Sequence, residues 1–431
     1  SMPNGNNLHR NVLFRDGADK TSLVVPFSSI DSGDPEDLWT FLASYEERTG
    51  GSVMAIPHNG NVSNGLMFAE TTLGGEPLSR DYAERRSRWE PIVEVTQIKG
   101  DGEAHPFLSP NDEFADYETW DKANLSMNTP KQEWQLQFEY AREAYKNGLA
   151  LEQQLGANPY NFGMIGATDS HTGLATGDED NFFGKMSSAE PKPGRGDGDY
   201  FPMQGEGVIP LQQWESLAAG YAGVWAKENT REALFDAMRA RETYATTGPR
   251  MVVRFFGGWD FAAGDEHRSD FASHGYRTGV PMGSSLDAKA GEAPSFLVAA
   301  ARDPQGANLD RIQIIKGWVD ADGKTHEMVY NVAASDERRI RGNRVKAVGN
   351  TVNVEKATYD NSIGDAELAA VWQDPDFDPG QRAFYYARVL EIPTPRWTTI
   401  DASIYGGDLP AKAPAYGQER AYTSPIWYAP E

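Results

Sequence analysis

The chain has 431 residues, no cysteine, and 63 acids against 40 bases, a formal net charge of −23. Its length suits two or three ordinary domains, and 39% apolar with 11% aromatic residues is ample for large cores, so disorder is excluded as the main state. The negative field argues against nucleic acid and anionic lipid as partners, no apolar run approaches a membrane span, and any metal must be held by His and carboxylate rather than thiolate.

Residues 8–14 read as a strand that opens abruptly, with no basic and apolar leader before it, so the expectation is a longer gene product whose N-terminal segment supplies the first strands. Residues 21–26 read as a short strand. Residues 35–48 read as an amphipathic helix with Leu38, Phe41, Leu42 and Tyr45 on one face. Residues 52–57, 91–98 and 163–168 are apolar runs that predict buried strands, and 132–155 predicts one long helix stopped by Gly156. Strands alternating with helices predict a parallel α/β barrel, or part of one, over residues 1–250. Residues 172–211 are rich in Gly, Pro and Asp without periodicity and read as a functional loop forming a wall or lid that brings Lys185 or Arg195 towards a bound anion; 211–219 and 229–241 predict helices. From Met251 the runs VVRFF, SFLVAAA, RIQIIKGWV, HEMVYNV, TVNVEKA and FYYARVLEI predict an antiparallel β-sandwich over 251–431, with a hairpin turn at 320–324.

In α/β barrels chemistry gathers at the carboxyl ends of strands. His58 stands just beyond one predicted strand, and Asp169 and His171 just beyond another. Asp-x-His in extended chain presents both side chains on one face, and imidazole with carboxylate suits Zn, Mn or Fe. Singly, Asp169 reads as a turn cap and His171 as a surface residue. Together with His58 they read as metal ligands, expected to converge within about 5 Å. Glu94 interrupts an apolar strand and needs a ligand or a partner there; it is either a catalytic carboxylate or an ion-pair partner of an arginine in SRDYAERRSR. His105, in the loop that follows, is a candidate ligand or proton donor, and Asn59, Lys185 and Arg250 are candidate substrate contacts. The Arg195-Gly196-Asp197 tripeptide and the acids at 178–180 read as loop features without a role.

AIPHNG, GATDSHTG and RETYATTGPR, in this order, resemble the polymerase-and-histidinol-phosphatase (PHP) metallohydrolases, above all the branch known as domain of unknown function DUF3604, related to the CehA/McbA-type hydrolases. The resemblance implies a distorted (β/α)7 barrel with two or three divalent ions at its carboxyl end, His58 matching the central His motif and Asp169 and His171 the last one. The family's opening His-x-His and Thr-Asp-His motifs are absent from this chain, so half the ligand set is expected on an N-terminal segment of the same gene product. The function expected is a metal-dependent hydrolase acting on a small anionic ester with a metal-activated water. A phosphoester leads; a carbamate, carboxylic ester or amide is the runner-up. The alternative class is a non-catalytic carbohydrate-binding protein with Trp side chains on one sandwich face. The lack of cysteine suits a periplasmic or secreted location.

Overall fold

Side-chain alternation along one strand organises the molecule. In Ala383–Glu391, the side chains of Ala383, Tyr385, Ala387 and Val389 enter one apolar cluster with Val253, Phe255, Phe296 and Val298. Phe384 and Tyr386 point the other way, into a cluster with Tyr145, Leu149 and Trp427. A strand buried on both faces needs no polar alternation, which is why FYYARVLEI is an almost unbroken apolar run. The computed structural model describes residues 1–200, 207–289 and 291–430, and within them this strand lies in the middle layer of three.

The middle layer is an eight-stranded sheet. Ala383–Glu391 pairs antiparallel with Leu309–Val319, Arg420–Thr423 and Ile426–Tyr428. Thr243–Thr246 joins through Arg420–Thr423, with Tyr221–Val224 outside it. Strands from both sides of residue 250 therefore meet in one sheet. On one face lies a four-stranded antiparallel sheet that includes Val252–Gly258, Ser295–Ala301 and Glu367–Gln373. On the other lie the helix Ala141–Leu155 and the strands that carry the candidate site. The fold is mixed α/β with several antiparallel sheets. Among the described residues no helix is long and apolar enough to cross a membrane.

A buried charge network ties the helical layer to the middle sheet. The Arg142 guanidinium, 1% exposed, donates to Glu103 Oε1 at 2.6 Å and to the Tyr386 hydroxyl at 2.8 Å, and pairs with Asp112 at 2.8 Å. Arg388 grips the same Asp112 with two nitrogens, at 2.6 and 2.9 Å.

The local differences from the sequence reading have identifiable causes. Residues 21–26 form no strand: the chain turns out of the short helix Ala18–Thr21, and Val25 is exposed. The expected long helix is two pieces, a 3-10 segment Glu133–Phe138 and the helix Ala141–Leu155. Between them the buried Glu139 carboxylate is drawn inward by the Lys131 ammonium at 2.6 Å and the Gly65 N–H at 3.1 Å. Residues 211–219 contain a single 3-10 turn, Gln213–Glu215, and 351–357 are not a strand. Strand direction also departs from the expected parallel core: within residues 1–250, Tyr221–Val224 pairs antiparallel with Thr243–Thr246, and Gly100–Asp101 with Ile92–Gln97. Ile92–Gln97 and Gly163–Gly166 are parallel, but Arg10–Phe14 and Val53–Pro57 are antiparallel. Apolar run length reports burial; direction is set by what packs alongside.

Asp101 is 2% exposed, and burial, then the Glu103 charge, push its carboxyl up to about 7. A carboxyl raised above its unfolded value favours the fold while protonated, and that contribution is lost as pH rises from ~4 to ~7. Asp101→Asn should flatten the fall in stability across that window, by up to about 4 kcal/mol. Urea unfolding of both proteins at intervals of pH reads this directly; parallel profiles would contradict it.

Candidate active site

Three strands end side by side because their apolar residues share one cluster: Met54 and Ile56 from Val53–Pro57, Ile92 from Ile92–Gln97, and Ile165 from Gly163–Gly166. The last strand seats only with glycine at its two ends. A Cβ on Gly166 would lie 2.7 Å from the Thr246 carbonyl, and one on Gly163 would collide with Ser424. This close seating fixes where the chain beyond Gly166 emerges, and with it Asp169. At both turns a polar residue adopts the left-handed region, Asn59 at φ 56° and Asp169 at φ 50°. Asn and Asp tolerate that region best, and such strain persists where the surroundings over-determine it. Asn7 helps at the first turn, donating to the Asn59 carbonyl at 2.9 Å.

His58, Asp169 and His171 come together. The Asp169 Oδ1 atom lies 3.6 Å from His58 Nε2 and 3.4 Å from His171 Nε2. His58 Nδ1 meets the Glu94 carboxylate, and the Asn59 amide nitrogen lies 3.1 Å from Nε2. The partner of Glu94 is thus His58 and not an arginine of the helix Arg80–Trp89. That role falls to Glu90, which pairs with Arg86 at 3.1 Å and Arg10 at 2.9 Å. The Asn59 Oδ1 atom is buried without a partner.

The other oxygen of Asp169 carries two ammonium groups. Lys185 Nζ sits 2.6 Å from Oδ2, and also donates to the Asp169 carbonyl at 2.7 Å; Lys99 Nζ pairs with Oδ2 as well. Both lysines are nearly inaccessible. Burial lowers the pKa of each; Lys185 depresses Lys99 further, and Lys185 itself falls to about 8. His171, at the mouth of the site, is lowered by burial and then by the Lys185 charge.

Two residues escaped the sequence reading. His9 stacks on His58 with ring centroids 6.2 Å apart, and burial first, then nearby positive charge, takes it down to about 4. Lys99 follows the same apolar strand as Glu94; the strand-end reasoning applied to His and acids would have found it had it been extended to Lys. The remaining candidates take other partners. His105 is buried against Asp121 at 3.2 Å and its Nδ1 accepts from the Phe107 N–H. Arg250 is exposed, its guanidinium over the Tyr221 ring. The loop after His171 returns to the site through Lys185, but Arg195 is turned away, held by Asp401 and lying over the Trp397 ring.

The donors match a divalent ion in kind, two imidazoles and a carboxylate, and each imidazole stands from Asp169 Oδ1 at a separation suited to two ligands of one tetrahedral ion. Among the described residues no three or more His, Asp and Glu side chains are gathered closely enough to hold a metal ion as they stand, these three included. Water, substrate or further ligands would complete the coordination.

Fold and site together define a mixed α/β protein with a His–carboxylate–Lys cluster at adjoining strand ends. The family model described as protein of unknown function (DUF3604) matches residues 1–430, and the chain belongs to that family. Neither a curated protein nor a solved structure matches it.

Proposed function

We propose that the protein is a metal-dependent hydrolase of small anionic esters, phosphoesters first, built on a PHP-like barrel scaffold. The observation that carries this reading is the convergence on Asp169: two imidazole Nε2 atoms face one carboxylate oxygen and two buried lysines hold the other, Lys185 also reaching His171 Nε2 at 3.1 Å. A divalent ion (Zn, Mn or Fe) held by His58, Asp169 and His171 would supply a Lewis acid and an acidified water. The chain's own groups do the rest. Glu94 fixes the His58 tautomer and ring orientation, as a carboxylate behind a metal-bound histidine does. Lys99 and Lys185 place positive charge where an ester's anionic oxygens would sit, giving a strongly acidic protein a local site for an anion. Asn59 offers an amide beside them. Carbamates, carboxylic esters and amides remain the second substrate class for the same site. The carbohydrate-binding alternative finds less support, since Trp259, Trp318, Trp372, Trp397 and Trp427 are buried or half-buried. A periplasmic or secreted location belongs to the same proposal and rests only on the lack of cysteine.

A panel of phosphate mono- and diesters and carboxylic esters, assayed with added Zn or Mn, tests the proposal. Glu94→Gln should cost about 10–100-fold in metal affinity or kcat/KM. Cleavage indifferent to metal, or to Glu94→Gln, would overturn it.

A further inference from the structure

A cavity of about 320 Å³ lies outside the Asp169 cluster and is walled by six carboxylates, Asp178, Glu179, Asp180, Asp303, Glu391 and Glu419. Glu391 is 1% exposed, and its Oε1 atom has no hydrogen-bond partner. A buried carboxylate oxygen left unpaired is costly unless something else satisfies it. Its neighbours do not supply that. Arg302 lies close, but its Nη1 is spent on the carbonyls of Asp303 and Gly306. The hydrogen-bond donors to Glu419, Glu179 and Asp303 are neutral, while the Arg420, Arg396 and Arg250 charges act on Glu419, Glu179 and Asp178 without a hydrogen bond. Glu419 accepts from the Tyr117 and Thr247 hydroxyls, Glu179 from the Trp397 N–H, and Asp303 from the N–H groups of Arg250 and Gln305. Burial and then Glu419 push both Glu391 and Glu179 well up, and burial takes Glu419 to about 7, so a cation bound here would draw protons from these carboxyls as it enters.

We infer that this cavity binds an organic polycation, a small molecule carrying two or more ammonium groups on an alkyl chain. Two observations favour that class over a metal ion. Among the described residues no three carboxylates gather closely enough for one ion. The space is also of ligand size, with charge spread around its walls. Separated ammonium groups match separated carboxylates, while Ile400 and the Tyr359 ring offer surface for methylenes and for a cation over an aromatic face.

Titration calorimetry of the whole chain with spermidine, 1,4-diaminobutane and Ca²⁺, at physiological ionic strength, tests this. Spermidine should bind saturably at one site, with Ca²⁺ giving no saturable heat. Glu391→Gln should weaken spermidine at least tenfold, and so should Asp178→Asn, a half-buried position whose change spares the core and decides the matter if Glu391→Gln fails to fold. Three results would overturn the inference: no saturable spermidine binding, spermidine binding unchanged by both substitutions as expected for loose association with a protein of charge −23, or Ca²⁺ competing at equal affinity.

Discussion

Arg142→Ala should lower the unfolding free energy by about 3–5 kcal/mol, the usual cost of removing one partner from a buried ion pair. The substitution removes the guanidinium that donates to Glu103 and to the Tyr386 hydroxyl at the junction of the helical layer and the middle sheet, leaving Glu103 with the Tyr386 hydroxyl and a longer pair to Arg388 at 3.5 Å. It leaves Asp112 with Arg388 alone. Arg388→Met should fall in the same range, because Arg388 is wholly buried and ties Asp112 to Gln313. Urea denaturation with tyrosine and tryptophan fluorescence measures both. A loss below about 1 kcal/mol for either would mean that the pairs are wetter and weaker than their burial implies.

Asp169→Asn should cost at least about 100-fold in kcat/KM on any ester the protein cleaves, since it removes the carboxylate common to both imidazoles and both lysines. The same change leaves two ammonium groups buried beside each other without their counter-ion. Part of that penalty is relieved because burial already favours their neutral forms. Stability and activity can be separated. Adding Lys99→Met and Lys185→Met to Asp169→Asn should recover stability but leave activity below that of Lys99→Met/Lys185→Met with Asp169 kept. Recovery of activity along with stability would show that Asp169 acts only as a structural counter-charge.

The clearest sequence signals were strand-end polar residues after short apolar runs. His58, Asp169 and His171 were legible that way because a buried strand leaves few places for a polar side chain to go. Glu94 was legible as a buried carboxylate but not its partner: pairing joins residues 36 positions apart, and the nearby arginines of the helix Arg80–Trp89 were the more obvious choice. Lys99 and His9 were missed for the same reason, since what makes them notable is the neighbour that each one meets. Element type was readable where the pattern was long, as in the helix Pro35–Thr49, closed by Asp34 at one end and left-handed Gly50 at the other. It failed where a single buried charge broke the run, at Glu139. The middle sheet could not be read from the sequence, because a strand buried on both faces has the same composition whether its second neighbour is a sheet or a helix.

Metal stoichiometry with activity in one titration tests the central claim most directly. The purified chain is stripped with chelator, dialysed, and titrated with Zn and Mn while bound metal and ester cleavage are followed together. The account predicts that cleavage vanishes on stripping, returns in proportion to bound metal, and that Asp169→Asn neither retains the metal nor regains activity. Ester cleavage that survives complete stripping, or metal bound with equal affinity by Asp169→Asn, would contradict it.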